Sequence, residues 1–262
     1  MMRSGEPEIV VLPDAAALAS AAADRIVDAL GAAVRERGAA HFAVCGGSSP
    51  VAAYRELAAR RTVAPWHDVH LWWVDDRFVP PDHPESNVAL VRATLLEADA
   101  ETVRGADVPA GNVHMFPVLA ALEGGHDAEW AARTYEEEIL RHVPSSGGRP
   151  LFDVMLLGVG VDGHVMSLFP GSPGLRDDAP LALAVPAPDR VGPHLPRVTL
   201  RGAVADDARL LLVIVPDGAK ASIVAEALTG PTDPLAVPAR IARRAGATWM
   251  LTRDAAAQLG RA

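Results

Sequence analysis

Residues 152–171, FDVMLLGVGVDGHVMSLFPG, restrict the fold of this chain more than any other stretch. The stretch opens with an uninterrupted apolar run, Val154–Leu157. A strand apolar on both faces belongs in the middle of a sheet that is covered on both sides. The run breaks at Gly158-Val159-Gly160, where glycine lets the backbone turn sharply and bare its N–H groups. Asp162, Gly163 and His164 come out of that turn, and Pro170-Gly171 ends the stretch. In α/β sheets ligands sit beyond the carboxyl ends of the strands. An imidazole two residues after a carboxylate therefore lies at a reactive address, and histidine exchanges protons near neutral pH. The same residues also read as a glycine turn with a structural histidine, and this stretch alone leaves both readings open.

The remaining chain alternates strand and helix signals. Residues 8–12 read as a short strand and Asp14 as an N-cap. The Ala-rich run to Arg37 reads as a helix with Leu18, Ile26, Leu30 and Val34 on one face, stopped by Gly38. Residues 41–45 read as a strand running into Gly46-Gly47-Ser48-Ser49-Pro50 and a helix over 51–60. A strand over 69–74, with Trp72 and Trp73 toward the core, ends in Asp75-Asp76-Arg77. A proline-stiffened loop and a helix from Ser86-Asn87 to Leu96 follow. Residues 103–125 read as loop-rich with a short strand over 114–116, 127–142 as an amphipathic helix, and 145–148 as a surface loop. Beyond Gly171 the chain reads as irregular up to a strand at Arg197–Leu200. Then come a buried strand Leu210–Val215, a helix over 219–228, and a closing strand (248–251) and helix (254–260). This alternation predicts an α/β fold, taken as a single domain over residues 1–262.

Composition excludes several classes of partner. A net charge of -9 argues against nucleic acid and anionic membranes. Cys45 is the only cysteine, so no internal disulfide forms, as suits a reducing compartment. No run of 18 apolar residues occurs, and the first residues lack the apolar segment of a secretory signal. A cytoplasmic, soluble protein is expected. Lysine and arginine total 24, yet Lys220 is the only lysine. A solitary ammonium among arginines marks a place that needs a compact point charge, unless it is a chance survivor.

Three further places carry chemistry. Gly46–Ser49 lies between a strand and a helix start, where N–H groups and the helix dipole suit a phosphate. It lacks the Gly-Lys-Ser/Thr ending of a Walker A loop and the third glycine of the dinucleotide fingerprint. It also reads as a plain turn with a helix cap. Asp75-Asp76-Arg77 read as solvated loop charges or, in a parallel sheet, as bringing an anion-binding or oxyanion-stabilising Arg77 beside the other two strand ends. Lys220 falls in the first turn of its helix, unfavourable for a lone cation and reasonable with an anion bound. His83 and His194 lie in loops able to approach Asp162 and His164, but no close His-His spacing of metal-site type exists, so no metal is expected.

Taken together, CGGSSP (45–50), WVDDRFVPPDHPESN (73–87), GVGVDGHVMSLFPG (158–171) and PRVTL (196–200) resemble the 6-phosphogluconolactonase family across nearly the whole chain. The resemblance implies a doubly wound, Rossmann-like α/β fold, with a mostly parallel sheet and helices on both faces, shared with glucosamine-6-phosphate deaminases. It implies hydrolysis of 6-phosphoglucono-δ-lactone to 6-phosphogluconate, the second step of the oxidative pentose phosphate pathway, without a cofactor. The partner is then a small sugar phosphate, with the chain expected as a monomer or weak homo-oligomer. By position, the resemblance implies His164 as general base, Asp162 as its partner or a substrate ligand, and Arg77 as a contact to substrate or transition state. Gly46, Gly47, Ser48, Ser49 and Lys220 are expected to hold the phosphate, with Asp75, Asn87, Gly160, Gly163 and Arg197 around the substrate. The chain departs from the family pattern at Cys45 (usually Ser), Ser49 (usually Thr), Asp76 (usually Glu) and Arg201 (usually Thr). The deaminases use a Glu five residues after the histidine; here that position is Phe169, which transfers no proton. A sugar-phosphate sensor would lose the base, and the joint presence of Asp162, His164 and Arg77 speaks against it.

Overall fold

The structure is a computed structural model and describes residues 5–97 and 105–260. Val103 and Arg104, the start of the expected loop-rich stretch, lie outside the described residues. In chain order, β1 (Glu8–Leu12) leads to α1 (Ala15–Arg37), β2 (Ala40–Val44) to α2 (Val51–Ala59), and β3 (Val69–Trp73) into β4 (Asp75–Arg77). Next come α3 (Asn87–Val91), β5 (Val113–His114), α4 (Val118–Glu123) and α5 (Ala128–His142). A hairpin of β6 (Ser145–Ser146) and β7 (Arg149–Pro150) follows. The second half contains β8 (Val154–Leu157), β9 (Ala182–Val185), β10 (Arg197–Leu200), α6 (Val204–Asp207), β11 (Leu210–Val215), α7 (Ala221–Thr229) and β12 (Ala247–Thr252).

Seven strands form the large sheet in the order β1-β12-β11-β8-β2-β3-β5, and every neighbouring pair is parallel. From β2 the chain winds outward through β3 to β5; from β8 it winds the opposite way through β11 to β12. β2 and β8 are thus the neighbours at which the winding reverses, and a doubly wound sheet binds its ligand outside the carboxyl ends of such a pair. Parallel crossovers follow a right-handed rule, and under that rule winding both ways from this point puts helices on both faces. β8 is buried throughout, as its unbroken apolar run demands. α1 is capped by Asp14, which accepts from the Ala17 N–H at 2.9 Å, and stopped by Gly38 in the left-handed region. Leu18, Ile26 and Leu30 are buried as their spacing requires. Trp72 and Trp73 are fully buried, and the Tyr135 hydroxyl on α5 accepts from the Trp73 N–H at 2.8 Å. No helix among the described residues is long and apolar enough to cross a membrane.

A second sheet, antiparallel in the order β4-β10-β9, departs from the sequence reading. The charged end of the third strand is itself a strand, because Val74 divides its bonds. Its N–H stays with Val44 O (2.9 Å) while its carbonyl takes the Leu200 N–H (2.8 Å). Ala182–Val185 pairs with β10 although it lies in a stretch that reads as irregular; proline-rich flanks mask a short apolar run. Val118–Glu123 is likewise a helix inside the loop-rich region, and residues 145–150 form a hairpin about Gly147-Gly148, both at positive φ. The expected closing helix over 254–260 is absent. Its carbonyls are taken at mixed spacing, Ala256 N–H to Thr252 and Leu259 N–H to Ala256, so turns replace a regular ladder.

Candidate active site

The β2 and β8 strand ends open on a cleft of about 280 Å³. Gly46, Gly47, Ser48, Ser49, Asp75, Arg77, Asn87, Gly160, His164, Arg197 and Lys220 all border it. Segments read separately in the sequence therefore share one concavity, because strand ends from both sides of the winding reversal and the edge of the second sheet meet there. Cys45, Val161, Met166 and Val191 also border it. Nothing in the pattern around Val191 marks that residue, which reaches the cleft from the long irregular stretch.

At one end, Asp162 Oδ1 bonds His164 Nδ1 at 2.5 Å and also takes the His164 N–H at 3.2 Å. The carboxylate thereby orients the ring and leaves Nε2 as the acceptor nitrogen. Burial works against ionisation of Asp162. The hydrogen bond and charge of His164, helped by backbone donors, outweigh burial and hold the carboxyl below its usual range. Gly160 has to be glycine for this geometry: a Cβ there would lie 2.1 Å from the imidazole. Asp162 and Gly163 do not border the cleft; Asp162 lies behind the ring, and Gly163 packs against Val237 and Ile223. The glycine turn reads in the sequence as baring its N–H groups, and at Gly160 and Gly163 it does not. Gly160 N–H donates to His164 O at 2.8 Å and Gly163 N–H to Gly160 O at 3.0 Å, so the turn uses both donors to hold its own shape. The Phe169 ring packs 4.9 Å from the His164 ring, centroid to centroid, and the Arg197 guanidinium carbon stands 5.4 Å above it.

At the other end, Lys220 Nζ donates to Ser49 Oγ at 3.0 Å, joining the glycine-serine loop to the chain's only lysine. Lys220 is the N-cap of α7 after a short 3₁₀ turn, so α7 begins two residues later than the sequence reading puts it. Burial lowers its pKa, against the pull of the Asp217 carboxylate. Cys45 sits under the same loop, where burial pushes its thiol up to about 12 and removes it as a nucleophile.

The third side comes from β4 and β10, whose register sets Arg77 opposite Arg197. Burial and then the Arg77 charge lower the pKa of Arg197, opposed by Asp75, Glu85 and Asp76. Arg77 Nη1 donates to Glu85 O (2.6 Å) and Asn87 Oδ1 (2.7 Å). Its Nε is buried with no partner among the described residues, as is Arg197 Nε. Asp75 is buried, and its carboxylate takes Ser167 Oγ at 2.7 Å and Asn87 Nδ2 at 3.3 Å, so it braces the cleft wall. In a chain of net charge -9, three cations thus converge on one cleft, which suits an anionic ligand. His83 and His194 stand outside it, and no group of three or more ligating side chains among the described residues is arranged for a metal.

Relatives share this arrangement of chain. The family model described as glucosamine-6-phosphate isomerases/6-phosphogluconolactonase matches residues 13–250. The 6-phosphogluconolactonase of Mycobacterium tuberculosis is 37% identical over 254 residues, covering 96% of this chain and 98% of the relative. The solved 6-phosphogluconolactonase from Leishmania guyanensis superposes with a TM-score of 0.82 at 28% identity, covering 98% of this chain and 100% of that one. A monomeric glucosamine-6-phosphate deaminase has the same fold, with a TM-score of 0.76 at 18% identity over 95% of this chain and 99% of its own. A match that runs from the first helix to the last strand, on a sheet wound the same way, makes this chain a member of the glucosamine-6-phosphate isomerase/6-phosphogluconolactonase family.

Proposed function

We propose that the chain hydrolyses 6-phosphoglucono-δ-lactone to 6-phosphogluconate, with His164 as general base and the Ser49–Lys220 end holding the phosphate. The observation that carries this reading is the Asp162-oriented imidazole bordering the same cleft as the Ser49–Lys220 pair. Family membership and the 6-phosphogluconolactonase relatives support the substrate. His164 Nε2 takes a proton from water as the oxygen attacks the lactone carbonyl at C1. The carbonyl electrons move onto its oxygen, and Arg77 is the donor best suited to the developing charge. Collapse restores the carbonyl and breaks the bond to the ring oxygen, which takes the proton back from the imidazolium. One water is consumed, and the product is the open-chain acid. Phosphate binding at the far end keeps C1 in register with the base. Phe169, packed on His164, offers no proton to a second step, which favours hydrolysis over deamination.

Lactone consumption above the spontaneous rate tests the reading. His164→Ala is expected to lose about 10²–10⁴-fold in kcat while keeping its circular-dichroism spectrum. A folded variant with near-normal kcat would remove His164 as base, and a wild-type chain no faster than buffer would remove the activity.

A further inference from the structure

β4 alternates, so Asp75 and Arg77 turn to the cleft and Asp76 turns away from it. Asp76 is nonetheless only 3% exposed and has no salt-bridge partner among the described residues. Its carboxylate is satisfied by neutral donors: the N–H groups of Asn87 (2.6 Å), Arg77 (2.7 Å) and Val88 (3.4 Å), and Ser86 Oγ (3.0 Å). Burial pushes it up to about 6, against the pull of the Asn87, Arg77 and Ser86 donors and with the Asp75 charge adding to the push. A buried charge is a costly way to cap a helix, and α3 already has a cap, since Ser86 Oγ accepts from Val88 N–H at 3.0 Å. What Asp76 alone joins are the main chains of Arg77 and Asn87, the two ends of a proline-stiffened loop. On the cleft side the side chains of the same two residues bond each other, and Asn87 Nδ2 donates to Asp75 O at 2.9 Å. Asn87 also lies flush on the glycine-serine loop, for a Cβ on Gly46 would fall 1.8 Å from its Oδ1.

We infer that Asp76 is a positioning residue: from behind the cleft, its carboxylate sets Arg77 and Asn87 against each other and against Gly46. The inference rests on the lactone-hydrolysis reading and adds a residue that touches no substrate. Asp76→Asn keeps the shape and relieves the buried charge, so the chain is expected to fold, which thermal unfolding checks. The decisive readout is a pair of double-variant cycles on kcat/KM. Asp76→Asn is expected to lose about tenfold or more, and Asp76→Asn with Asn87→Ala no more than about threefold beyond the worse single variant. Combined with Lys220→Ala, which stands on a separate element, the losses are expected to multiply. Wild-type kcat and KM in a folded Asp76→Asn, losses that multiply with Asn87→Ala, or equal coupling to Lys220→Ala would each overturn the inference, the last by showing general loosening. Should the amide not fold, Asp76→Ser, which keeps one acceptor, takes its place under the same criteria. If the wild-type chain shows no turnover of the lactone, the proposed function fails instead, and the cycles are then read on affinity for inorganic phosphate.

Discussion

Lowering the pH should destabilise this fold through a group that does not border the cleft. His41 on β2 is 5% exposed and stacks on His70, with ring centroids 5.0 Å apart. Its Nδ1 accepts the Trp72 Nε1–H at 3.1 Å, a bond that requires the unprotonated nitrogen. Burial, then the neighbouring His70, His114 and His142 and the Arg37 cation, depress its pKa from 6.5 to about 3. The folded state thus favours neutral His41, while the unfolded chain takes up a proton below pH 6.5. The stability contributed by this group is complete above that pH and is lost as pH falls toward 3, at about 1.4 kcal/mol per pH unit. Between pH 7 and pH 5 the loss comes to ~2 kcal/mol, a sizeable part of the stability of an ordinary domain. Asp76 works the other way, since a raised carboxyl pKa makes the fold gain stability as pH falls through about 6. A difference between variants cancels that contribution. His41→Gln keeps an acceptor for Trp72 without the titration. Urea unfolding at pH 7 and pH 5 should show the variant losing ~2 kcal/mol less than the wild type over the same step. Equal losses in the two proteins would refute the account of His41.

Two further outcomes follow from the cleft. Lys220→Ala should raise KM about tenfold or more with a smaller change in kcat, because it removes the charge proposed to meet the phosphate, beside Ser49, and leaves the imidazole alone; an unchanged KM would take Lys220 out of the proposed phosphate site. Gly160→Ala forces a methyl to within 2.1 Å of the His164 ring, so the imidazole has to leave its bond to Asp162. A fall in kcat of about 10²-fold is expected, consistent with small misplacements of catalytic groups, with KM changed less. Normal turnover in Gly160→Ala would mean the ring position seen here is not the working one.

The pattern of residues along the chain was enough to determine the kind of fold and most of the segments that gather at the cleft. Apolar runs such as Val154–Leu157, caps such as Asp14 and stops such as Gly38 act within a few residues, so each can be read where it stands. The glycine-serine loop, the Asp-Gly-His turn and the solitary lysine were visible for the same reason. Tertiary structure alone decided which of these groups meet. The pairing of Asp75–Arg77 with Arg197–Thr199 joins segments more than a hundred residues apart, and no local signal specifies a register over that separation. It also decided that Gly160 and Gly163 keep their donors for their own turn, that Ala182–Val185 becomes a strand, and that residues 254–260 stop short of a helix. Asp76 shows the division most plainly. Its sequence position names a charge at a strand end, but only the pleat turns that charge away from the cleft and under the two residues that line it.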